Sequence, residues 1–127
     1  TPLIQGTSTQ GGYSLDFYDK KNGIAYGGDY TEPTSNTKNI VVTTDGGVTW
    51  KVAADGSNEG YKSCVQYVPK SNGKEIVAMG FTGISYSRDS GHTWHKLSDE
   101  SYLSFRFITE SIAIASGNNK LSLVYFK

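Results

Sequence analysis

The chain has 127 residues, a length that suits one domain with its own hydrophobic core. Its 12 Lys and Arg balance 12 Asp and Glu without a basic cluster, so charge gives no support for nucleic acid or an anionic membrane as a partner. No apolar run approaches the roughly 18 residues needed for membrane insertion, and the single cysteine, Cys64, excludes an intrachain disulfide.

A repeating order of short apolar segments and turns begins near the N-terminus. A predicted strand near residues 13–18 leads through Asn22-Gly23 into a second one near residues 24–28. Asn-Gly between apolar segments indicates a tight hairpin, because both residues tolerate positive φ. The further strands predicted for this first unit lie near residues 39–44 and 49–53. Residues 2–8 are a candidate for one more strand, the outer strand of a preceding blade.

The same order continues through the rest of the chain. The second unit has predicted strands near residues 62–68, 75–80, 84–88 and 93–97, with an Asn72-Gly73 turn between the first two. The third has predicted strands near residues 103–108, 111–116 and 121–126, and it lacks a fourth. No segment shows helical periodicity. The sequence predicts an all-β fold of about three antiparallel β-propeller blades, each four-stranded where complete, with approximate boundaries at residues 9–54, 55–98 and 99–127.

Two motifs mark the turn between the third and fourth strands of a unit. Residues 43–50 and 87–94 both read Ser/Thr-x-Asp-x-Gly-x-Thr-Trp, and they start 44 residues apart. A period of roughly 40–50 residues is that of a propeller blade. We expect the Asp carboxylate to hold the turn and the Trp to fill space between blades. The residues with this predicted folding role are Thr43, Asp45, Gly47, Thr49, Trp50, Ser87, Asp89, Gly91, Thr93 and Trp94.

These motifs resemble the Asp-box, or BNR-repeat, β-propeller families. Those families include sialidases, sortilin-type receptor domains, xyloglucan-cleaving glycoside hydrolases and photosystem II stability/assembly factor-like proteins. The segment Phe-Tyr-Asp-Lys-Lys-Asn-Gly-Ile-Ala-Tyr-Gly-Gly-Asp at residues 17–29, followed by the first box, is most similar to the last group. The resemblance covers residues 13–126 and implies part of a propeller of about six or seven blades.

Three blades are too few for a closed ring, since closure takes about four or more. We therefore expect either a piece of a chain of about 300 residues or two copies that meet head to tail. The partners would then be the remaining blades of the same protein or a second copy. The abundance of Gly, Ser, Thr, Asn and Tyr favours an extracytoplasmic location.

The sequence contains no complete set of recognisable catalytic residues. The resemblance to sialidases would require three arginines around a carboxylate, and the chain has only Arg88 and Arg106. A glycosidase needs two opposed carboxyl groups, and no spacing singles out a pair. His92 and His95 suit a surface turn better than a metal site. We predict a noncatalytic binding or assembly scaffold with no metal and no cofactor; the alternative is part of a sialidase-like glycoside hydrolase that further blades complete.

The predicted binding site lies on the rim opposite the Asp boxes, where the resemblance places propeller ligands. Its loops are residues 29–38, 55–62, 81–83, 98–103 and 117–120. The candidate ligand-binding residues there are Asp29, Tyr30, Glu32, Tyr61, Phe81 and Tyr102. The alternatives are a variable surface loop for the long insertion and packing between blades for the tyrosines. Aromatics with short polar neighbours suit a protein segment or a carbohydrate better than a phosphate.

A second candidate site consists of the residues at one equivalent position on the first strand of each predicted blade. Asp16, Gln66 and Arg106 each precede an aromatic residue at equivalent positions. They predict a polar ring near the central channel, in which Asp16 and Arg106 would be available to a ligand. The alternative is an internal ion pair between these two residues.

Overall fold

A computed structural model describes residues 2–117 and 119–126 of the chain. Thr1, Lys127 and Asn118, the last of which belongs to a predicted rim loop, lie outside the described residues. Within that part the secondary structure is entirely β, which confirms the predicted fold class. The strands are β1 Gln10–Phe17, β2 Gly23–Asp29, β3 Ile40–Thr43, β4 Lys51–Val52, β5 Cys64–Tyr67, β6 Ile76–Gly80, β7 Gly83–Ser87, β8 His95–Ser98, β9 Ser104–Phe107, β10 Ile112–Gly117 and β11 Lys120–Tyr125.

The strands form three antiparallel meandering sheets. Blade 1 has the order β1-β2-β3-β4, blade 2 has β5-β6-β7-β8, and blade 3 has β9-β10-β11. Within each sheet, consecutive strands are neighbours, because short turns connect them. Over the described residues, blade 3 has three strands, as the sequence predicts, and the outer edge of β11 is unpaired. No helix in the described part is long and apolar enough to cross a membrane.

The N-terminal region differs from the prediction. Residues 2–8 form no strand; the Ile4 N–H donates at 2.7 Å to the carbonyl of Lys38, whose φ of 52° is not that of an extended strand. The strand β1 begins at Gln10, and its register shifts between Gly12 and Ser14. Leu3 is nevertheless buried and packs beside Gly12. The N-terminal segment thus covers part of blade 1 without joining its sheet.

Two hydrophobic layers join the three blades. The layer between blades 1 and 2 contains Tyr26, Ile40 and Trp94, and the one between blades 2 and 3 contains Met79 and Phe105. These side chains project from alternate positions of their strands, so both faces of blade 2 are buried. The burial of apolar area at these layers is the main force that holds one blade against the next.

Hydrogen bonds between the first strands add a second link between blades. The Tyr67 N–H donates to the Asp16 carboxylate at 2.8 Å, and the Phe107 N–H donates to the Gln66 side-chain oxygen at 2.7 Å. The buried Cys64 belongs to the same interface, where its Sγ lies 3.7 Å from the Phe105 carbonyl oxygen. An acceptor side chain on one blade thereby satisfies a backbone N–H on the next.

Candidate functional site

The first Asp box is a closed network of hydrogen bonds within its own turn. The Asp45 carboxylate accepts from the Thr49 N–H at 2.9 Å and from the Thr43 hydroxyl at 2.8 Å. The Thr49 hydroxyl donates to its other oxygen, and the Trp50 indole N–H donates to the Gly47 carbonyl at 3.0 Å. Gly47 has a φ of 92°, a conformation that favours glycine. The hydrogen bonds from Thr49 hold the pKa of Asp45 down at about 2.

The second box repeats this network. The Asp89 carboxylate accepts from the Thr93 N–H at 2.8 Å and from the Thr93 hydroxyl at 2.6 Å. Burial of Asp89 acts to raise its pKa, but the hydrogen bonds from Thr93 outweigh that effect and the pKa is lowered. The Trp94 indole N–H donates to the Gly91 carbonyl at 2.8 Å. The polar side chains of both boxes are therefore engaged in closing their turns.

The Asp-box turns lie beside the Asn-Gly turns on one face of the molecule. The Gly46 N–H donates to the Lys21 carbonyl and the Ser90 N–H to the Lys74 carbonyl, both at 2.9 Å. His92 is exposed on this face, and His95 is exposed at the start of β8. Across the described residues, no group of three His, Cys, Asp or Glu side chains is placed to hold a metal ion.

The opposite rim carries a continuous row of aromatic rings, which we call the aromatic stripe: Tyr30, Tyr13, Tyr61 and Phe81. The Tyr13 ring lies 6.3 Å from Tyr30 and 5.1 Å from Tyr61, both edge to face. The Tyr61 ring lies 5.2 Å from Phe81, with the two planes tilted. These spacings are those of favourable aromatic pairs. The stripe runs from the long loop of blade 1 to the short β6–β7 turn of blade 2.

The stripe combines a buried centre with exposed rings. Tyr61 is only 6% exposed, whereas Tyr13, Tyr30 and Phe81 are 39%, 47% and 41% exposed. Burial, and then the neighbouring Tyr13, raise the pKa of the Tyr61 hydroxyl. Tyr61 thus supports the neighbouring rings, and the exposed surface belongs to the other three. Tyr13, like Tyr61 and Tyr102, stands at the start of a predicted first strand, where a tyrosine can face a ligand, but it was not among the predicted site residues.

The acidic candidates lie next to the stripe in different environments. Asp29 is buried and accepts from the Thr31 hydroxyl at 2.6 Å and from the Thr31 N–H at 3.0 Å. These bonds from Thr31 lower the pKa of Asp29. Glu32 is exposed. Asp29 therefore shapes the loop, while the Glu32 carboxylate is accessible to a partner.

The long loop of residues 29–38 is fastened to the next inter-blade connection. The Asn39 side-chain amide donates to the Asn58 side-chain oxygen at 2.8 Å and to the Gly60 carbonyl at 3.0 Å. The Tyr61 N–H donates to the Pro33 carbonyl at 3.0 Å. This network fixes the loop against Tyr61, and sequence reasoning missed it because Asn39 and Asn58 are 19 positions apart.

Tyr102 lies apart from the stripe. It is 5% exposed and belongs to the layer between blades 2 and 3. The Lys120 ammonium lies 4.4 Å from the centre of its ring and 3.1 Å from the Glu100 carboxylate. This arrangement is a cation–π contact supported by an ion pair. Tyr102 offers little surface to a partner on the rim.

Lys62 is a buried cation beneath the stripe. Its ammonium donates to the Thr82 hydroxyl at 2.7 Å, and that hydroxyl donates to the Tyr61 carbonyl at 2.8 Å. Burial lowers the pKa of Lys62 to about 8. Sequence reasoning missed this residue, since a lysine at a strand start usually remains in solvent.

Asp16 and Arg106 do not come together. Asp16 is bonded to the Tyr67 N–H, and Arg106 is exposed on the open side of blade 3. Among the residues that the structure describes, no ion pair joins them. Arg106 occupies the register in which Asp16 and Gln66 accept from the next blade, but a guanidinium cannot accept a hydrogen bond.

A cleft of about 950 Å³ separates the outer parts of blades 2 and 3. Its apolar walls include Ile84, Tyr86 and Leu97 from blade 2 and Val124 and Phe126 from blade 3. The Tyr86 hydroxyl donates to the Glu75 carboxylate, and the Arg88 guanidinium lies 5.4 Å from the centre of the Tyr86 ring. The second-box residue Arg88 therefore borders the cleft as well as its turn.

The arrangement of the sheets and their first strands defines three adjoining blades of a β-propeller. A solved structure of YCF48 bound to a D1 peptide superposes on 97% of this chain and on 40% of its own length, with a TM-score of 0.66. The two sequences are 17% identical, so the likeness establishes the fold. The chain spans less than half of that protein. No protein-family model matches the sequence, and no curated protein matches it either.

Proposed function

We propose that this chain is a noncatalytic scaffold that binds an extended segment of another protein through the aromatic stripe. The observation that carries the proposal is the contiguous exposure of Tyr30, Tyr13 and Phe81 around a buried Tyr61. Rings fixed in this way lose little conformational freedom on binding, so they are suitable anchors for a partner.

The chemistry next to the stripe indicates the type of segment. Exposed Glu32 places a carboxylate beside Tyr30, and the Asp29 carboxylate, whose pKa is lowered, adds negative potential below it. A complementary segment would carry an apolar or aromatic residue for the rings and a basic residue for Glu32. The networks of Asn39 and Asn58 hold the loop in place before a partner arrives.

Two further features support this proposal. YCF48 has the same fold and was captured with a D1 peptide, which favours a peptide over a glycan as the kind of partner. The two box networks favour membership of the Asp-box propeller families. An extracytoplasmic location remains part of the proposal and rests on composition.

Selection from a displayed peptide library, run beside a glycan array, tests the proposal. We expect peptides to be selected, and we expect Tyr30→Ala and Phe81→Ala each to weaken their binding about ten-fold or more. The melting temperature should hardly change, since both rings are exposed. Tyr18→Ala is the matched control, because Tyr18 is also 42% exposed but lies by the Asn-Gly turn.

Equal loss of binding in the Tyr18→Ala protein would show that the stripe is not the site. Binding or turnover of glycans without any selected peptide would favour the alternative, a glycoside hydrolase part.

A further inference from the structure

A small pocket, which we call the junction pocket, lies between blades 1 and 2 on the face that carries the Asn-Gly and Asp-box turns. Its volume is about 190 Å³. At about 30 Å³ for each water, this is room for about six waters, so a small molecule fits and a peptide segment does not. Blades 1 and 2, which form its walls, are both complete four-stranded sheets.

Two tyrosine rings form the apolar part of the junction pocket. Tyr18 from blade 1 and Tyr67 from blade 2 have ring centres 6.0 Å apart, with their planes tilted by 50°. Tyr18 is exposed and rests on Gly73, where a Cβ atom would lie 2.8 Å from the ring. Burial, and then Asp16 and Asp19, raise the pKa of Tyr67 to about 12, so its hydroxyl stays protonated and can donate at neutral pH.

Polar side chains complete the lining, among them Thr44, Asn72 and His92. In the part of the chain that the structure describes, no hydrogen bond engages the Thr44 hydroxyl or the Asn72 amide. The described lining contains no Asp, Glu, Lys or Arg. Hydroxyl and amide groups both donate and accept hydrogen bonds, so this set matches a neutral ligand with several hydroxyls.

The chain's own repeat shows why the pocket is open at this junction. The two boxes and the strand registers define equivalent positions in blades 1 and 2. Three such pairs line the space toward the next blade: Asn22 and Glu75, Val42 and Tyr86, and Thr44 and Arg88. In blade 2 the Tyr86 hydroxyl donates to the Glu75 carboxylate, and the Arg88 guanidinium lies 5.4 Å from the centre of the Tyr86 ring. In blade 1 the side chains of Val42 and Thr44 are too short for these contacts, and their position stays open to a ligand.

A pyranose ring matches this combination of groups. One face of the sugar carries C–H groups that pack on an aromatic ring, and its edge carries hydroxyls that pair with amides and hydroxyls. A single hexose has about the volume of the pocket. A charged ligand would find no opposite charge among the lining side chains that the structure describes, and its desolvation would be uncompensated there.

We propose that the junction pocket binds one neutral sugar ring, which packs on Tyr18 and bonds through its hydroxyls to Thr44, Asn72 and the Tyr67 hydroxyl. The site lies on the face opposite the aromatic stripe and does not depend on the protein segment proposed to bind there. A free hexose and the terminal residue of a glycan share this chemistry, and methyl glycosides distinguish the two sources.

NMR titration of the intact chain, with saturation-transfer difference spectra, tests the proposal with D-glucose, D-galactose, D-mannose and their methyl glycosides. We expect saturable binding of at least one hexose, with saturation transferred to the C–H protons of one ring face. Undiminished binding of the methyl glycoside identifies the end of a glycan as the ligand, and loss of binding on methylation identifies a free sugar. D-Glucuronate should bind no more tightly than D-glucose, because no Lys or Arg is in the described lining.

Variants of the lining locate the bound sugar. Tyr18→Ala should weaken binding about ten-fold, because the sugar loses its aromatic contact. Asn72→Gly should weaken it several-fold, because it removes the amide while glycine keeps the φ of 56°. Val42→Tyr combined with Thr44→Arg should abolish binding, since it copies the blade 2 side chains into the pocket. Val48→Tyr is the matched control: it adds the same ring to the same box at an exposed position outside the lining, and binding should not change.

Thermal melting shows that each variant is folded before its binding is measured. Tyr30→Ala should leave sugar binding unchanged and weaken only peptide binding, so the failure of either proposal is seen separately. The proposal is overturned if no hexose binds the intact chain, or if glucuronate binds more tightly than glucose. Binding that persists at full strength in the Val42→Tyr/Thr44→Arg chain, or in both Tyr18→Ala and Asn72→Gly, overturns it as well.

Discussion

Trp50 and Trp94 hold the same position in two blades, but their surroundings differ. Trp94 is 8% exposed and lies between blades 1 and 2, against Tyr26. Trp50 is half-buried and packs edge to face on Phe17 at 6.1 Å, on the side of blade 1 that no other blade covers. The expectation that both rings fill space between blades therefore holds for Trp94 alone within the described residues.

This difference predicts unequal effects of substitution. Trp94→Ala should lower the free energy of unfolding by about 3–5 kcal/mol, because it leaves a cavity in a packed layer. Trp50→Ala should cost about 1–2 kcal/mol, since its ring already contacts solvent on one side. Denaturant unfolding of the two variants measures both values. Equal losses would contradict the assignment of Trp50 to an open face.

Lys62 gives a second prediction at this scale, through its pKa. The folded-state pKa is about 8, below the ordinary value of 10.5. Between these two values the unfolded chain binds more protons than the folded chain, so stability rises as the pH rises. At neutral pH the buried cation opposes folding, although its bond to Thr82 offsets part of that cost.

Lys62→Met should remove that rise. We expect the free energy of unfolding of the variant to exceed that of the parent chain most at about pH 7 and least at about pH 9.5. Urea unfolding at the two pH values measures this difference. A Thr82→Val protein controls for loss of the hydrogen bond, because it keeps the cation. Parallel stability curves for the parent chain and Lys62→Met would show that Lys62 keeps its charge over this range.

Strands and turns were predictable where their cause is local. The Asn72-Gly73 turn, in which both residues have positive φ, and the two box motifs marked the strands around them, because turn conformation depends on adjacent residues. At Asn22-Gly23 neither residue has the predicted positive φ; Gly23 begins β2, and the Asp19 carboxylate holds the turn by accepting from the Lys21 and Asn22 N–H groups. Residues 2–8 were predicted wrongly as a candidate strand, because a strand also requires a neighbour to pair with. Alternation of apolar residues does not reveal whether such a neighbour exists.

The rim was predictable in part. Topology placed Tyr30, Tyr61 and Phe81 near one another, and the rings lie in one row. Which ring is buried depended on packing between blades, which the sequence does not show. The amide pairing of Asn39 with Asn58 was missed for the same reason, since it joins distant loops. The burial of Tyr102 was missed for the same reason, since it results from packing against blade 3 and from the contact with Lys120.

At the scale of the molecule, the two outer blades each leave an apolar face open. On blade 3 the exposed residues include Leu121, Leu123 and Tyr125, and on blade 1 they include Leu15. Exposed faces and edges of this kind favour further contacts. Arg106 lies on the open side of blade 3. Asp16 and Gln66 accept hydrogen bonds from the next blade, whereas Arg106 would donate to acceptor groups on whatever covers this side. The stripe, by contrast, lies on the rim, and three of its four rings are exposed.

Hydrogen–deuterium exchange of the chain with a library-selected peptide tests the central claim, that the partner binds along the aromatic stripe. We predict that the peptide slows exchange in residues 29–36 and 80–83, where the stripe meets its loops, and leaves the box turns unchanged. Protection confined to residues 43–50 or 87–94, with the stripe exchanging at its free rate, would contradict this account.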